Sequence, residues 1–521
     1  MSEWLDLLMF GALIGAILLG YPVAFTIAGV AVLFAGLGWA LGNFDPNLLG
    51  ALGQRFFGVL TNDVLIAIPL FVFMGVMLEK SRIAEDLLET MGRLFGAWRG
   101  GLAISVVLVG ALLAASTGIV GATVVAMGLI ALPTMLRHGY DPRLASGLVC
   151  TAGTLGQIIP PSTLLIILSD VMSNAFQQAQ FRQGKFTVET ISVGQTFAAA
   201  LLPGLTLVGL YLLYLVLTAW LVPRAAPAIR DEQPLPSTGR VLRTVLPPCL
   251  LIVAVLGSIL GGVATPSESA AVGAVGALLL AGARLAEPAR GESARWVVAG
   301  AVALGAVAVL AGVHPLRLQR QDTDLLDWLA AAAALGLILV ALAGIAQSLQ
   351  RVRRAGILGP VTTSTTVVVS MIFATILTAS LFSLVFRGLG GDQHVEQIVA
   401  AMPGGPQGAL LFVMALVFVL GFFLDFVEIS VILLPLVVPA LILMGHDPIW
   451  LSVLIAVNLQ TSFLTPPFGF SLFYLRGAAP KEISTAQIYA GVIPFILLQV
   501  IAMLVIWFLP GIATALPRWL Y

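Results

Sequence analysis

The chain has 521 residues, 59% hydrophobic and only 10% charged, with 25 Lys and Arg balancing 25 Asp and Glu. At a mean hydropathy of +1.06 it carries more apolar surface than water tolerates on a folded protein, so a soluble globular class is excluded. The zero net charge supplies no basic field, which excludes nucleic acid as a partner and leaves the lipid bilayer as the medium.

Many apolar runs reach the roughly 20 residues needed to cross a hydrocarbon core of about 30 Å as a helix. Period-2 alternation is missing, so a barrel does not fit and an all-α polytopic membrane fold does. Leu7 to Leu41 reads as two retained membrane helices joined at Gly20, Tyr21 and Pro22, since Glu3 and Asp6 precede it where a signal peptide would be basic. Asp45 to Val64, with Arg55, Phe56 and Phe57, fits an interfacial helix or an ordinary loop. Ile66 to Met77 crosses and delivers the chain to a charged connector, Lys80 to Arg99, expected in the cytoplasm.

Gly101 to Leu136 is then apolar for 36 residues, interrupted at Ser116, Thr117, Gly118, Gly121 and Thr123, with arginines flanking both ends. One straight helix of that length would be about 54 Å long, so the segment folds back, and a re-entrant hairpin fits better than two crossings. Leu144 to Leu168 crosses outward through a polar break, TAGTLGQIIPPS at Thr151 to Ser162, followed by an outer loop from Asp170 to Glu189. Thr196 to Leu221 returns, and the arginine-containing, proline-rich loop Pro223 to Arg243 is expected in the cytoplasm. Val245 to Leu260 and Ala270 to Ala283 form a pair around Ala264 to Glu268. Trp296 to Val313 and Leu325 to Ala346 add two apolar runs with Arg317 and Arg320 between them, which fits the charge rule poorly and suggests a peripheral hairpin.

After Arg351, Arg353 and Arg354, Thr363 to Val385 crosses outward, and Gly388 to Gln407 reads as a loop. Leu410 to Met444 is a second interrupted apolar segment, broken at Gly421, Asp425 and Glu428. Its neighbour, Asp447 to Leu475, contains VNLQTSFLTPPF at Val457 to Phe468, and Ala486 to Leu509 ends the set. The two Pro-Pro pairs, Pro160 with Pro161 and Pro466 with Pro467, stand 306 residues apart, as do Pro133 and Pro439, Gly139 and Gly445, and Asp141 and Asp447. This is an internal repeat, and the charge assignment gives its halves opposite topology.

Inverted repeats, each with a re-entrant hairpin and a broken helix, are the sequence sign of a secondary transporter with its site near mid-membrane. Helix ends freed by a break offer N–H groups to an anion and C=O groups to a cation. One site would join Ser116 to Thr123 with Thr151 to Ser162, and a second would join Gly421 to Ser430 with Asn458 through Pro466. The bland alternative for each patch is a proline kink that only packs helices. Asp425 and Glu428 are costly at membrane depth; Asp425 reads as a structural or cation-site residue, and Glu428 stays open. Cys150 and Cys249 and the four histidines, His138, His314, His394 and His446, fall at no metal-ligand spacing, and no Ser, His and Asp set shares one depth. A membrane enzyme is the weaker reading. No P-loop pattern occurs, so an ion gradient is the expected energy source.

The stretches GYPVAF at 20 to 25, IPLFVFMG at 68 to 75, GTLGQIIPPS, ATPSESAAVG at 264 to 273, FSLVF at 382 to 386, FFLDFVEIS at 422 to 430 and NLQTSFLTPPFGFSLFYLRG together resemble the large membrane subunit of tripartite ATP-independent periplasmic (TRAP) transporters. That resemblance implies an elevator-type carrier of the ion-transporter superfamily, importing a small carboxylate with sodium from a periplasmic substrate-binding protein. Proton coupling, or export, on the same fold is the alternative. It also implies a small four-helix membrane subunit as a partner chain, since no such segment is read at either end. In the family, sodium sits where hairpin tips meet helix breaks. This maps onto Ser116, Thr117, Gly153, Thr154 and Gly156 for one site and Asp425, Asn458, Thr461 and Thr465 for the other, with the substrate carboxylate near Pro160, Ser162 and Pro466. No organic cofactor is expected. A bacterial inner-membrane location with both termini periplasmic follows.

The expected divisions are N-terminal scaffold helices and arm at 1–65, a first transport repeat at 66–195 with hairpin 101–136 and broken helix 144–168, and scaffold helices at 196–286. An inserted hairpin at 287–354 departs from the usual family pattern. A second transport repeat at 355–485 holds hairpin 410–444 and broken helix 449–475, and a C-terminal helix fills 486–521.

Overall fold

A computed structural model describes residues 4–118, 120–229, 236–286, 293–314 and 324–521, without the side chains of 114–117. Among these residues the chain is all-helical, and ten helices are long and apolar enough to cross a membrane. Large apolar side chains such as Phe25, Leu33, Val253 and Leu339 stay exposed on them, as a lipid-facing surface requires.

Two helices open the chain, α1 (Leu5–Leu18) and α2 (Val23–Ala40), and the turn between them uses Gly20 at φ +83°. A short 3₁₀ turn, Pro46–Ala51, leads into α3 (Leu52–Leu60), which buries no residue and lies on the surface as an arm. After α4 (Ala67–Lys80), the expected charged connector is instead a helix, α5 (Ile83–Phe95). Ile83, Leu87 and Leu88 recur at helical spacing and are buried, while Glu85, Glu89 and Arg93 face outward, so the stretch is amphipathic rather than a loop.

The first hairpin is α6 (Gly101–Thr117) and α7 (Val120–Arg137), turning at Gly118 with φ +60°. The first broken helix is α8 (Pro142–Thr154), a 3₁₀ turn Leu155–Gln157, and α9 (Thr163–Arg182). Here the expected outer loop from Asp170 is largely helix, because α9 continues to Arg182 through Asn174, Gln177 and Gln180. Then follow α10 (Val193–Leu221), α11 (Thr238–Leu260) and α12 (Pro266–Arg284).

The segment expected to be an insertion forms α13 (Arg295–Val313) and α14 (Leu325–Arg354), both among the candidate spans. They cross closely at glycines, since a Cβ on Gly344 would stand 3.0 Å from the Gly300 Cα. Gly282 of α12 packs as tightly on Ser348, and the buried Arg351 guanidinium donates to the Gly282 and Ser293 carbonyls at 2.9 and 3.0 Å. Arg317 and Arg320, which complicated the charge rule, lie outside the described residues.

The second half runs through α15 (Leu358–Gly388) and α16 (Gly391–Ala400), the latter replacing an expected loop. The second hairpin is α17 (Gly405–Leu420), then α18 (Phe426–Glu428) and α19 (Leu434–Leu443), joined by a π-helical turn, Ile429–Leu433. The second broken helix is α20 (Pro448–Leu464) and α21 (Phe470–Ala478), followed by α22 (Thr485–Phe508) and α23 (Gly511–Leu520). The single C-terminal helix expected at 486–521 is instead two, α22 and α23.

The repeat is visible in element boundaries. Val120 and Phe426, which start α7 and α18, are 306 residues apart, as are Pro142 and Pro448, which start α8 and α20. Past the breaks the spacing falls to 292: α10 is capped by Ser192 with Gln195, and α22 by Ser484 with Gln487, both as reciprocal capping boxes. Most of the shift arises because α9 has 20 residues and α21 only 9, and the rest comes from the connecting segments.

The two repeats interlock. The first half of each broken helix supports its own hairpin, α8 under α6 and α20 under α17, whereas the second halves cross over, α9 packing on α19 and α21 on α7. The closing helices cross over too, α10 against α20 and α22 against α8. At the α8 and α22 crossing, Cβ atoms on Gly147 and Gly491 would stand 2.0 Å from backbone oxygens of the opposite helix, so only glycine permits this approach.

Candidate functional site: two hairpin tips on two helix breaks

Both hairpin tips end against the interruption of their own repeat's broken helix. In the first repeat, the Thr163 hydroxyl at the start of α9 donates to the Gly118 carbonyl at 2.8 Å. Since α8 has only 13 residues, about 20 Å of rise, before its break, a tip touching that break stops inside the bilayer. The hairpin is therefore re-entrant. In the second repeat, Asn458 Nδ2 donates to the Met414 carbonyl at 2.7 Å, Gly421 packs on Ser462, and the Phe423 and Phe468 rings lie 5.5 Å apart.

Around the first break, Thr151, Thr154, Gln157 and Ser162 are all buried. Ser162 Oγ donates to the Gln157 carbonyl at 2.9 Å and caps α9, so its role at present is to close the break and start the next helix. The hydroxyls of Thr151 and Thr154 donate to the Gly147 and Thr151 carbonyls at 2.7 and 2.9 Å, which leaves their lone pairs available to a cation. Gly153 is required by space, because a Cβ there would lie 2.3 Å from Val124 Cγ2. Gly156 sits in the buried 3₁₀ turn, and Pro160 is buried beside it. The Ser116 and Thr117 side chains, proposed with these for a cation, lie outside the described residues.

Around the second break, Thr461 and Thr465 donate to the Val457 and Thr461 carbonyls at 2.8 and 2.7 Å, again with lone pairs to spare. Asn458 and Thr461 share one face of α20 at helical spacing, and Thr465 follows as its C-cap. Asp425 and Glu428 form a reciprocal cap on the hairpin's return limb: Asp425 Oδ1 accepts from the Phe426 N–H and Glu428 Oε2 from the Asp425 N–H, each at 2.7 Å. Among the described residues no hydrogen bond joins Asp425 to Asn458, Thr461 or Thr465. Pro466 is half-buried and the following Pro467 and Phe468 are exposed, so this break is open where the first is closed.

Two glutamines escaped the sequence reading. Gln157 is fully buried in the first break, and among the described residues neither its amide oxygen nor its nitrogen has a partner. Gln460 is equally buried; its Nε2 donates to Thr154 Oγ1 at 3.4 Å and its Oε1 is unpartnered. Thr154 and Gln460 are equivalent positions 306 residues apart, and two equivalent positions touch only on the axis that relates the repeats. The axis thus passes between the two breaks, through a buried amide and hydroxyl pair. The signal in the sequence was two amides beside two breaks, but glutamine carries no chemistry specific enough to single it out.

Among the described residues, no group of three or more His, Cys, Asp or Glu side chains is arranged to hold a metal. The oxygens gathered at the breaks are hydroxyls, amides and carbonyls, a donor set suited to a hard cation that binds oxygen. Tyr474 of α21 reaches the first tip: its ring packs against Gly121, where a Cβ would stand 2.8 Å from Cζ.

The profile for the tripartite ATP-independent periplasmic transporter, DctM component, matches residues 10–318 and 323–512, pausing only between α13 and α14. A C4-dicarboxylate TRAP transporter large permease protein of Pseudomonas aeruginosa is 28% identical over 480 residues, covering 92% of this chain and 91% of the relative. The ectoine TRAP transporter large permease protein of Halomonas elongata is 24% identical, with 97% of each chain covered. The isethionate TRAP transporter permease protein DctMQ of Oleidesulfovibrio alaskensis is 25% identical, covering 95% of this chain but 65% of that protein. Among solved structures, the Alcanivorax borkumensis YdaH transporter has a similar fold, at a TM-score of 0.52 and 15% identity over 91% of this chain and 89% of its own.

Proposed function

Because the chain belongs to the family of DctM components of tripartite ATP-independent periplasmic transporters, a family of transporter permeases and not of enzymes, we propose that it imports a small carboxylate with sodium by an elevator movement. The observation that carries this reading is the meeting of two hairpin tips with two helix breaks in inverted repeats, with oxygen donors at each junction and the repeat axis between them. Sodium would sit at Thr154, Gly153 and Gly156 with the first tip, and at Asp425, Asn458, Thr461 and Thr465 with the second. The carboxylate would lie between the tips, against the half-buried Pro466 and near Tyr474, with Ser162 and Pro160 reached only when the closed first break opens.

The printed names of the relatives, C4-dicarboxylate, ectoine and isethionate carriers, support a small organic ion as cargo. A small membrane subunit and a periplasmic binding protein are the partners in this reading, and the further length of the isethionate relative is consistent with a fused small subunit. The chain would sit in the bacterial inner membrane with both termini periplasmic. Packing supports a division into moving parts that differs from the sequence expectation by placing α10 with the transport part and α4 and α15 outside it: hairpins, broken helices, α10 and α22 would move as one body, against a frame of α1, α2, α4 and α11 to α15.

Uptake of labelled succinate into proteoliposomes holding this chain, its small subunit and its binding protein tests the proposal. Uptake is expected to require an inward sodium gradient and to stop when potassium replaces sodium. Uptake that persists in potassium and follows a proton gradient would overturn sodium coupling.

A further inference from the structure

Away from the breaks, a cavity of about 470 Å³ opens between the arm helix α3, the end of α9, the end of α15 and the return limb of the second hairpin. Its lining includes Leu65, beside the start of α4, whose far end carries Lys80. Two arginines line it, Arg55 from α3 and Arg387 from α15, with one acidic residue, Asp170 of α9. Asp170 is already engaged, its Oδ1 and Oδ2 accepting from Asn62 and Asn174 amides at 2.9 and 3.4 Å. Arg387 donates one Nη2 hydrogen bond, to Gln178 Oε1 at 3.2 Å, and its buried Nε has no partner. Arg55 has no hydrogen bond or ion pair among the described residues. Close by, Arg182 is matched by both Asp392 and Glu396, so acidic partners exist at this end of the molecule and are not directed to the cavity.

Two guanidiniums sharing a partly desolvated cavity repel each other, and a buried N–H without an acceptor costs free energy as well. Both costs vanish when an anion with two acceptor oxygens bridges them, and the planar fork of arginine fits a carboxylate in two parallel hydrogen bonds. We propose that this cavity is a second, outer binding site for a small carboxylate, held between Arg55 and Arg387. The proposal rests on the reading of the cargo as a carboxylate. Val431 and Pro435 of the second hairpin form part of its wall, so an occupied cavity would bear on the hairpin that covers the second break.

The test is calorimetric titration of the purified full-length chain in detergent and sodium-free buffer, with acetate, succinate, glutarate and inorganic phosphate as separate probes. At least one acid is expected to bind, and R55Q and R387Q are each expected to weaken it tenfold or more, R387K less than R387Q, while R137Q leaves it unchanged. Monodisperse elution on size exclusion confirms that each variant is folded, and R55Q, on the exposed arm, gives an independent reading should R387Q misfold. Affinity unaltered in R55Q and R387Q, binding of phosphate but of none of the acids, or no binding at all would overturn the assignment. Because neither sodium nor a binding protein is present, the result is independent of whether uptake proves sodium-coupled.

Discussion

In the proposed mechanism single side chains do two jobs at once, and substitutions can separate them. Asp425 caps the return limb of the second hairpin through its Oδ1 and is also the one carboxylate assigned to a cation. Asparagine caps a helix about as well as aspartate, whereas alanine costs about 1 kcal/mol. Asp425→Asn is therefore expected to keep the melting temperature of the wild type while raising the sodium concentration for half-maximal uptake at least tenfold. Asp425→Ala should lower both. Full transport with unchanged sodium dependence in Asp425→Asn would leave the residue as a cap alone. Gln157 offers the opposite separation. Its buried amide has no partner among the described residues, and leaving such a group unsatisfied costs about 1 to 3 kcal/mol. Gln157→Leu is expected to raise the melting temperature and to impair uptake, the pattern of a group retained for function at the expense of stability; a variant that is more stable and fully active would assign Gln157 no part in transport.

At the scale of elements, the hairpins depend on glycines that admit backbone where any side chain would collide. A Cβ on Gly421 would stand 2.1 Å from Ser462 Oγ, and overpacking of this kind costs about 1 to 3 kcal/mol. Gly421→Ala should destabilise the second tip by that amount, and adding Ser462→Gly should recover most of it in a double-mutant cycle read by thermal unfolding. Much of this architecture was legible beforehand. The proline pairs, the 306-residue spacing and the interruption of two over-long apolar runs located both hairpins and both breaks, because backbone that cannot continue a helix inside lipid has to leave a mark in composition. Other elements were hidden for physical reasons. The α5 and α16 helices carry enough charge to read as loops, yet α5 buries Ile83, Leu87 and Leu88 on one side. The capping boxes of α10 and α22 match only once the spacing drops to 292, so a search at one fixed spacing passes over them. The contact of Thr154 with Gln460 depends on how the repeats are rotated against each other, which no local pattern encodes.

For the molecule as a whole, the way the repeats interlock decides what can move. The glycine crossing of α8 and α22 brings backbone against backbone, and Tyr211 of α10 accepts from Gln499 Nε2 of α22 at 2.9 Å inside the core. Helices joined this closely slide past one another only by breaking the packing, so in the proposed elevator movement they would travel together. Contacts between the frame and this body are sparser, and one of them is polar, where Asn62, at the end of the arm, meets Asp170 of α9 at 2.9 Å. An elevator movement has to break that second kind of contact and preserve the first. In a background lacking Cys150 and Cys249, cysteines at 62 and 170 bridged by a short thiol-specific cross-linker should therefore arrest uptake, and reduction should restore it. A bridge between cysteines at 211 and 499 should leave uptake near the level of the reduced protein. If the bridge at 62 and 170 were harmless and the one at 211 and 499 blocked transport, the body that moves would have to be drawn along a different boundary, with α10 and α22 separated from each other. Comparing each cross-linked variant with its own reduced form removes the cost of the substitutions themselves, so the measurement reads the motion alone.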